Sequence, residues 1–136
     1  EGVLLALIGT MDARHQKRQY HAMRVFAYAE RIACELNLPP SALEVLAQTS
    51  VLHDLGMIGI SDKLLSGPEQ FDGQNTDICK HPLIGYNIIR RVPALLEVAE
   101  VVYAHHERYD GSGYPRGLSG NQIPFLASVF AVALTL

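Results

Sequence analysis

The chain has little charge and little cysteine, and it has no long apolar run. Charged residues make up 18% of its 136 positions, below the ~25% of an average globular protein. Yet 49% are hydrophobic, which excludes a disordered tail. Eleven Lys and Arg against fourteen Asp and Glu give a net charge of -3, so no field gathers a polyanion, and DNA or RNA polymers are poor partners. The longest apolar stretch, Phe125 to Leu136, is broken by Ser128 and Thr135 and falls short of the ~20 residues that span a bilayer. Direct membrane insertion is not expected. Cys34 and Cys79 are far apart and lack CxxC spacing, which suits free buried thiols in a reducing cytoplasm rather than a disulfide scaffold. No basic leader precedes Val3 to Ile8, so that run reads as a helix face within a longer protein.

What is present is helical periodicity. Val25, Ala29, Ile32, Ala33 and Leu36 predict an amphipathic helix from His21 to Leu36, ended by Asn37 and Pro39. Ser41 and Glu44 form a capping-box pattern that starts a second helix at Ser41. Its last turn carries His53 and Asp54, and Gly56 can close it in a left-handed conformation. Ser66 to Asn75 read as a loop. Helical spacing resumes at Ile78, His81, Ile84, Ile88 and Ile89. Pro93 then suits a first turn leading through Leu95, Leu96, Ala99 and Val102 to His105 and His106. Asp110 to Gly120 is glycine-rich and reads as an ordered surface loop, and Pro124 opens a last apolar helix. With no alternating β pattern, the expected class is all-α, a helical bundle.

Six histidines stand in this pattern: His15, His21, His53, His81, His105 and His106. Alone, a histidine such as His15 is ordinary. Two adjacent ionisable pairs at apolar helix ends, His53-Asp54 and His105-His106, are costly to bury without a metal or mutual pairing. Helix bundles build metal sites from such inward side chains, and the two oxygens of Asp54 could bridge two ions. Neighbouring helical residues point ~100° apart, so His105 and His106 should not share one face; two ions, or one at a frayed end, would use both.

The segments Leu52-His53-Asp54-Leu55-Gly56-Met57-Ile58-Gly59-Ile60, Lys80-His81-Pro82 with Gly85, and His105-His106-Glu107-Arg108-Tyr109-Asp110-Gly111-Ser112-Gly113-Tyr114-Pro115 resemble the HD-GYP family. This is a branch of the HD superfamily of metal-dependent phosphohydrolases, and the likeness runs from about His21 to Ala133. The resemblance implies a helical bundle of HD-superfamily type, with residues 1–136 as one domain of a longer cytoplasmic signalling protein. The implied activity is hydrolysis of cyclic di-GMP to pGpG or GMP. It further implies that His21, His53, Asp54, His81, His105 and His106 ligate one or two divalent ions, iron, manganese or similar, with His53 and Asp54 catalytic. Arg108, Asp110, Gly111, Gly113, Tyr114 and Pro115 would form the loop that meets substrate or a partner, for instance a diguanylate-cyclase or receiver domain.

The chain departs from the family pattern at three places. Met57 stands where the family has lysine, and Leu134 follows Ala131-Val132-Ala133 where the family has an aspartate ligand. Lys17 stands where trinuclear members place a glutamate, which argues against a third ion. Two functions follow from the resemblance: a phosphodiesterase impaired at Met57 and Leu134, or a degenerate module that keeps the fold and signals by binding nucleotide or a partner. A nucleotide phosphohydrolase of the broader superfamily is a weaker third, because the Gly113-Tyr114-Pro115 loop belongs to one branch.

Overall fold

The computed structural model describes residues 18–66 and 77–136. His15, Lys17, the Val3 to Ile8 run and residues 67–75 of the expected loop lie outside them. The described residues are helical, with no strand among them beyond a lone antiparallel bridge between Asp110 and Ser119. None of these helices is long and apolar enough to cross a membrane.

Helix α1 (Arg18–Glu35) buries Val25, Ala29 and Ala33, spaced by four, against α2 (Pro40–Leu52) and α6 (Phe125–Thr135). Alanines at 29, 33, 99, 127 and 133, all fully buried, let the helix axes approach closely. Asn37 takes a left-handed conformation (φ 54°), which asparagine tolerates better than most residues, and Leu38 N–H then reaches the Ala33 carbonyl at 3.0 Å. Pro39 is extended and Pro40 occupies the first turn of α2. Their fixed φ therefore starts this helix, and the expected capping bond of Ser41 does not form, because Ser41 already lies inside the first turn. A true capping box occurs instead at Ser119 and Gln122.

Between α2 and α4 (His81–Ile89) lie a 3₁₀ turn at Leu55–Gly59, the short α3 (Asp62–Ser66) and a second 3₁₀ turn at Ile78–Lys80. Gly56 does not adopt the left-handed closure expected of it. Its role is contact: a β-carbon there would stand 1.8 Å from the His81 carbonyl oxygen, so only glycine lets the 3₁₀ turn lie on α4. Another 3₁₀ turn, Pro93–Leu95, leads into α5 (Leu96–Ala104).

The main core joins Leu46 and Leu52 of α2, Ile89 of α4, Val98, Ala99 and Val102 of α5, and Phe130 of α6. A smaller cluster of Ile60, Leu65 and Ile78 lies beside it, with Met57 and Ile84 packed on it. Both cysteines are free, but neither is buried as expected: Cys34 is exposed and Cys79 half-exposed. Cys34 falls on the exposed side of α1, turned away from the buried Ala29 and Ala33.

Candidate metal centre

The polar core is assembled from helix ends. His53 follows α2, His105 follows α5, and His81 follows the Ile78–Lys80 turn. The last carbonyls of a helix lack partners within it, and each histidine ring reaches a carbonyl three residues back, that of Ile78 also accepting the His81 amide. Nδ1 of His53 lies 3.0 Å from the Ser50 carbonyl, Nδ1 of His81 2.7 Å from that of Ile78, and Nδ1 of His105 2.6 Å from that of Val102. A carbonyl only accepts, so Nδ1 carries the proton in all three rings. In the neutral imidazole Nε2 then offers a lone pair, the form a metal requires.

These rings converge. His81, His105 and His106 bring one ligand atom each within 4.8 Å of one another, and His21, His53 and Asp54 do the same. Asp54 stands between the two groups, with Oδ2 3.5 Å from His53 Nε2 and Oδ1 3.8 Å from His81 Nε2. Phe130 lies under them, its ring 5.3 Å from that of His53 and 6.2 Å from that of His105. His105 and His106 meet in a single group, with ring centroids 4.1 Å apart. Of the two arrangements expected for this pair, two ions or one at a frayed helix end, the geometry fits the second, with both rings in one group just beyond Ala104.

The donor set fits a divalent cation. Nε2 of His81 and Nε2 of His105 lie 3.4 Å apart, and with both Nδ1 atoms protonated they meet lone pair to lone pair, a contact that a cation between them relieves. Burial, then the charges of His106, His53 and His81, hold His105 well below the usual imidazole range. Burial first, and His81 next, pull His106 down to about 4. Both rings are therefore neutral at pH 7. The carbonyl ends of α2 and α5, the negative poles of their dipoles, point at the same place and favour positive charge there.

The glycine-rich loop folds back on this centre. Tyr114 stacks on His106 at 4.9 Å and its amide reaches the His106 carbonyl at 3.2 Å. Burial and the Cys79 thiol to which the Tyr114 hydroxyl hydrogen-bonds push that hydroxyl up to about 12. Gly113 sits where a β-carbon would lie 2.4 Å from Arg108 N and 2.5 Å from the His106 carbonyl oxygen. Arg108 and Asp110 are exposed, 3.8 Å apart, and Asp110 accepts from the Ser112 amide at 2.9 Å across a turn that Gly111 closes at φ 81°. Pro115 follows a cis peptide bond.

Residue reading alone gave Glu107 no role. It is 5% exposed, and its carboxylate accepts the amides of Arg116 (2.8 Å) and Leu118 (2.9 Å), fastening the far limb of the loop to the histidine pair. The signal was available: a carboxylate next to two buried histidines and before a glycine-rich stretch is one that loop amides can satisfy. Met57 and Leu134 take no part in the polar centre. Met57 packs on the smaller apolar cluster and Leu134 on the main core, one turn beyond Phe130.

A family profile described as HD domain matches residues 7–136. The chain is 37% identical over 130 residues to a 3'3'-cGAMP-specific phosphodiesterase 2 of Vibrio cholerae serotype O1, covering 93% of the chain and 25% of that protein. It is 38% identical over 125 residues to a cyclic di-GMP phosphodiesterase of Thermotoga maritima, covering 90% and 34%. It is 37% identical over 113 residues to the cyclic di-GMP phosphodiesterase response regulator RpfG of Xanthomonas campestris pv. campestris, covering 81% and 30%. The chain thus spans between a quarter and about a third of the length of these relatives.

Proposed function

The chain belongs to the HD domain family, and from that premise we propose that it is a metal-dependent phosphodiesterase domain for cyclic dinucleotides, cleaving cyclic di-GMP to pGpG or GMP. The relatives named for cyclic di-GMP and for 3'3'-cGAMP support the substrate class. One observation carries the reading: Asp54 faces one nitrogen group with each oxygen, the layout of a carboxylate bridging two ions. His81, His105 and His106 would hold one ion with Asp54, and His21, His53 and Asp54 the other, iron and manganese both suiting this donor set. When bound, such ions supply Lewis acidity toward the phosphate and lower the pKa of water.

The reaction is attack of water on phosphorus with departure of a ribose oxygen. His53, through Nε2, and Asp54, through both carboxylate oxygens, would hold the ions that face the scissile phosphate. His106, neutral down to about pH 4, has no proton to give at neutral pH and serves as a ligand rather than a general acid. Tyr114 keeps its hydroxyl proton and lays the face of its ring on His106. The exposed Arg108, with Asp110, Gly111, Gly113 and Pro115 shaping its loop, meets the substrate or a partner. In this reading residues 1–136 are one domain of a longer cytoplasmic signalling protein.

The test is incubation of the iron- or manganese-loaded chain with cyclic di-GMP, followed by chromatography. Formation of pGpG that disappears in Asp54→Asn supports hydrolysis. Binding without product supports a second reading, in which the domain senses nucleotide or docks a diguanylate-cyclase or receiver domain. Met57 and Leu134 favour that reading, because both are packed against apolar clusters where the family's lysine and aspartate would bring charge.

A further inference from the structure

The loop lays alternate residues over one face of α5 and the turn that follows it. Tyr114 covers His106, and Arg116, two residues on, covers Tyr103, with its guanidinium carbon 3.9 Å from the ring centroid. Tyr103 and His106 are three residues apart, the spacing of side-chain neighbours on a helix. Behind Tyr103 stands Tyr86 of α4, stacked at 4.6 Å and 20°, and Arg90 lies 5.3 Å from the Tyr86 ring. The order is Arg90, Tyr86, Tyr103, Arg116: two aromatic rings between two guanidinium groups.

Arg116 is held twice, through its amide by Glu107 and through its side chain by Tyr103. It is nevertheless exposed, and among the described residues no carboxylate pairs with it. A guanidinium is a planar fork of donors. Here stacking on Tyr103 restricts the fork's orientation, which lowers the ordering cost of binding through it.

We propose that Arg116 is a specificity-determining residue that reads guanine in the cyclic dinucleotide, its fork donating to O6 and N7. The proposal rests on the reading of the polar centre as a cyclic-dinucleotide site and adds which base is preferred and through which side chain. The fork matches the two acceptors of guanine, whereas adenine places its N6 amino donor where guanine has O6. Tyr103 lies about one helical turn, ~5 Å, from His106. With a phosphate at the three-histidine group, a side chain one turn away meets the nucleoside rather than the phosphate being cleaved.

The experiment is calorimetric binding of cyclic di-GMP, 3'3'-cGAMP and cyclic di-AMP to the metal-loaded chain, its Arg116→Ala and its Arg116→Lys variants. The wild type should prefer cyclic di-GMP over cyclic di-AMP. Arg116→Ala should weaken cyclic di-GMP about 10-fold or more while leaving cyclic di-AMP unchanged. Arg116→Lys keeps the charge and the long stem, so it should melt at the wild-type temperature yet lose part of the discrimination, because a mobile ammonium reaches O6 and N7 without the planar fork that holds two donors in register. Equal weakening of all three ligands, an unchanged cyclic di-GMP affinity in both variants, or a wild type without base preference would overturn the role of Arg116 and leave the phosphodiesterase reading standing. A wild type that binds none of the three overturns both.

Discussion

His81, His105 and His106 reach the centre from the ends of helical segments, whereas His21 reaches it from the first turn of α1. The difference is one of preparation. In the first group two rings are pinned by Nδ1–H bonds to carbonyls at 2.6–2.7 Å, and His105 is 1% exposed. In the second, His53 is pinned in the same way, but His21 is only partly buried and its Nδ1 faces the Arg24 guanidinium at 3.4 Å. Nearby, α6 offers Leu134, which carries no ligand atom. One half of the centre is thus preorganised and the other is not, and an ion in the first half should be held more tightly. Fewer than two tightly held ions per chain are expected, as elemental analysis after dialysis can measure.

Breaking the link between the halves should have the largest effect. Asp54→Asn keeps the shape and removes the charge both halves share; turnover of cyclic di-GMP should fall by ~10³, with loss of bound metal seen by the same elemental analysis. Next comes a blow to the prepared half alone. Gly56→Ala puts a methyl group into the His81 carbonyl and should cost about 3 kcal/mol, read as a lower denaturant midpoint, with the three-histidine ion lost first.

The third prediction uses protons. The folded pKa of His106, about 4, lies below the ~6.5 of an unfolded imidazole. Between those values the unfolded chain holds the extra proton, so the metal-free protein is at full stability above pH 6.5 and loses it as pH falls toward 4. By pH 5 the loss is about 2 kcal/mol, and thermal melts of apo protein from pH 7 to 4 measure it. His105, shifted the same way, adds to the slope. The smallest effect is a repair: Leu134→Asp should raise affinity for a second ion about 10-fold, seen as a second calorimetric transition. Adding Met57→Lys should raise turnover more than either change alone.

The sequence made the helices and their inner faces legible, because Val25, Ala29 and Ala33, or Ile84, Ile88 and Ile89, repeat at the spacing of a helix. It also marked the histidines, since ionisable pairs at apolar helix ends are rare without a purpose. One feature was illegible: that Gly56 is required by His81 depends on how the 3₁₀ turn beyond α2 lies on α4, a contact between elements that periodicity along the chain does not report. The Ser41 capping box failed on a local contest, in which Pro39 and Pro40 began the helix first.

The fastening of the loop has a mechanical consequence. From Glu107 to Leu118 the segment is tied to itself by the two amides on the Glu107 carboxylate, by Gly111 N–H to the Arg108 carbonyl (2.9 Å) and by Gly113 pressed on the His106 backbone. Such a piece has few internal degrees of freedom. Gly113 is packed on the His106 backbone at one end and Glu107 adjoins the histidine pair at the other, so a displacement imposed at the exposed Tyr109 would be passed toward His105 and His106 rather than absorbed within the loop.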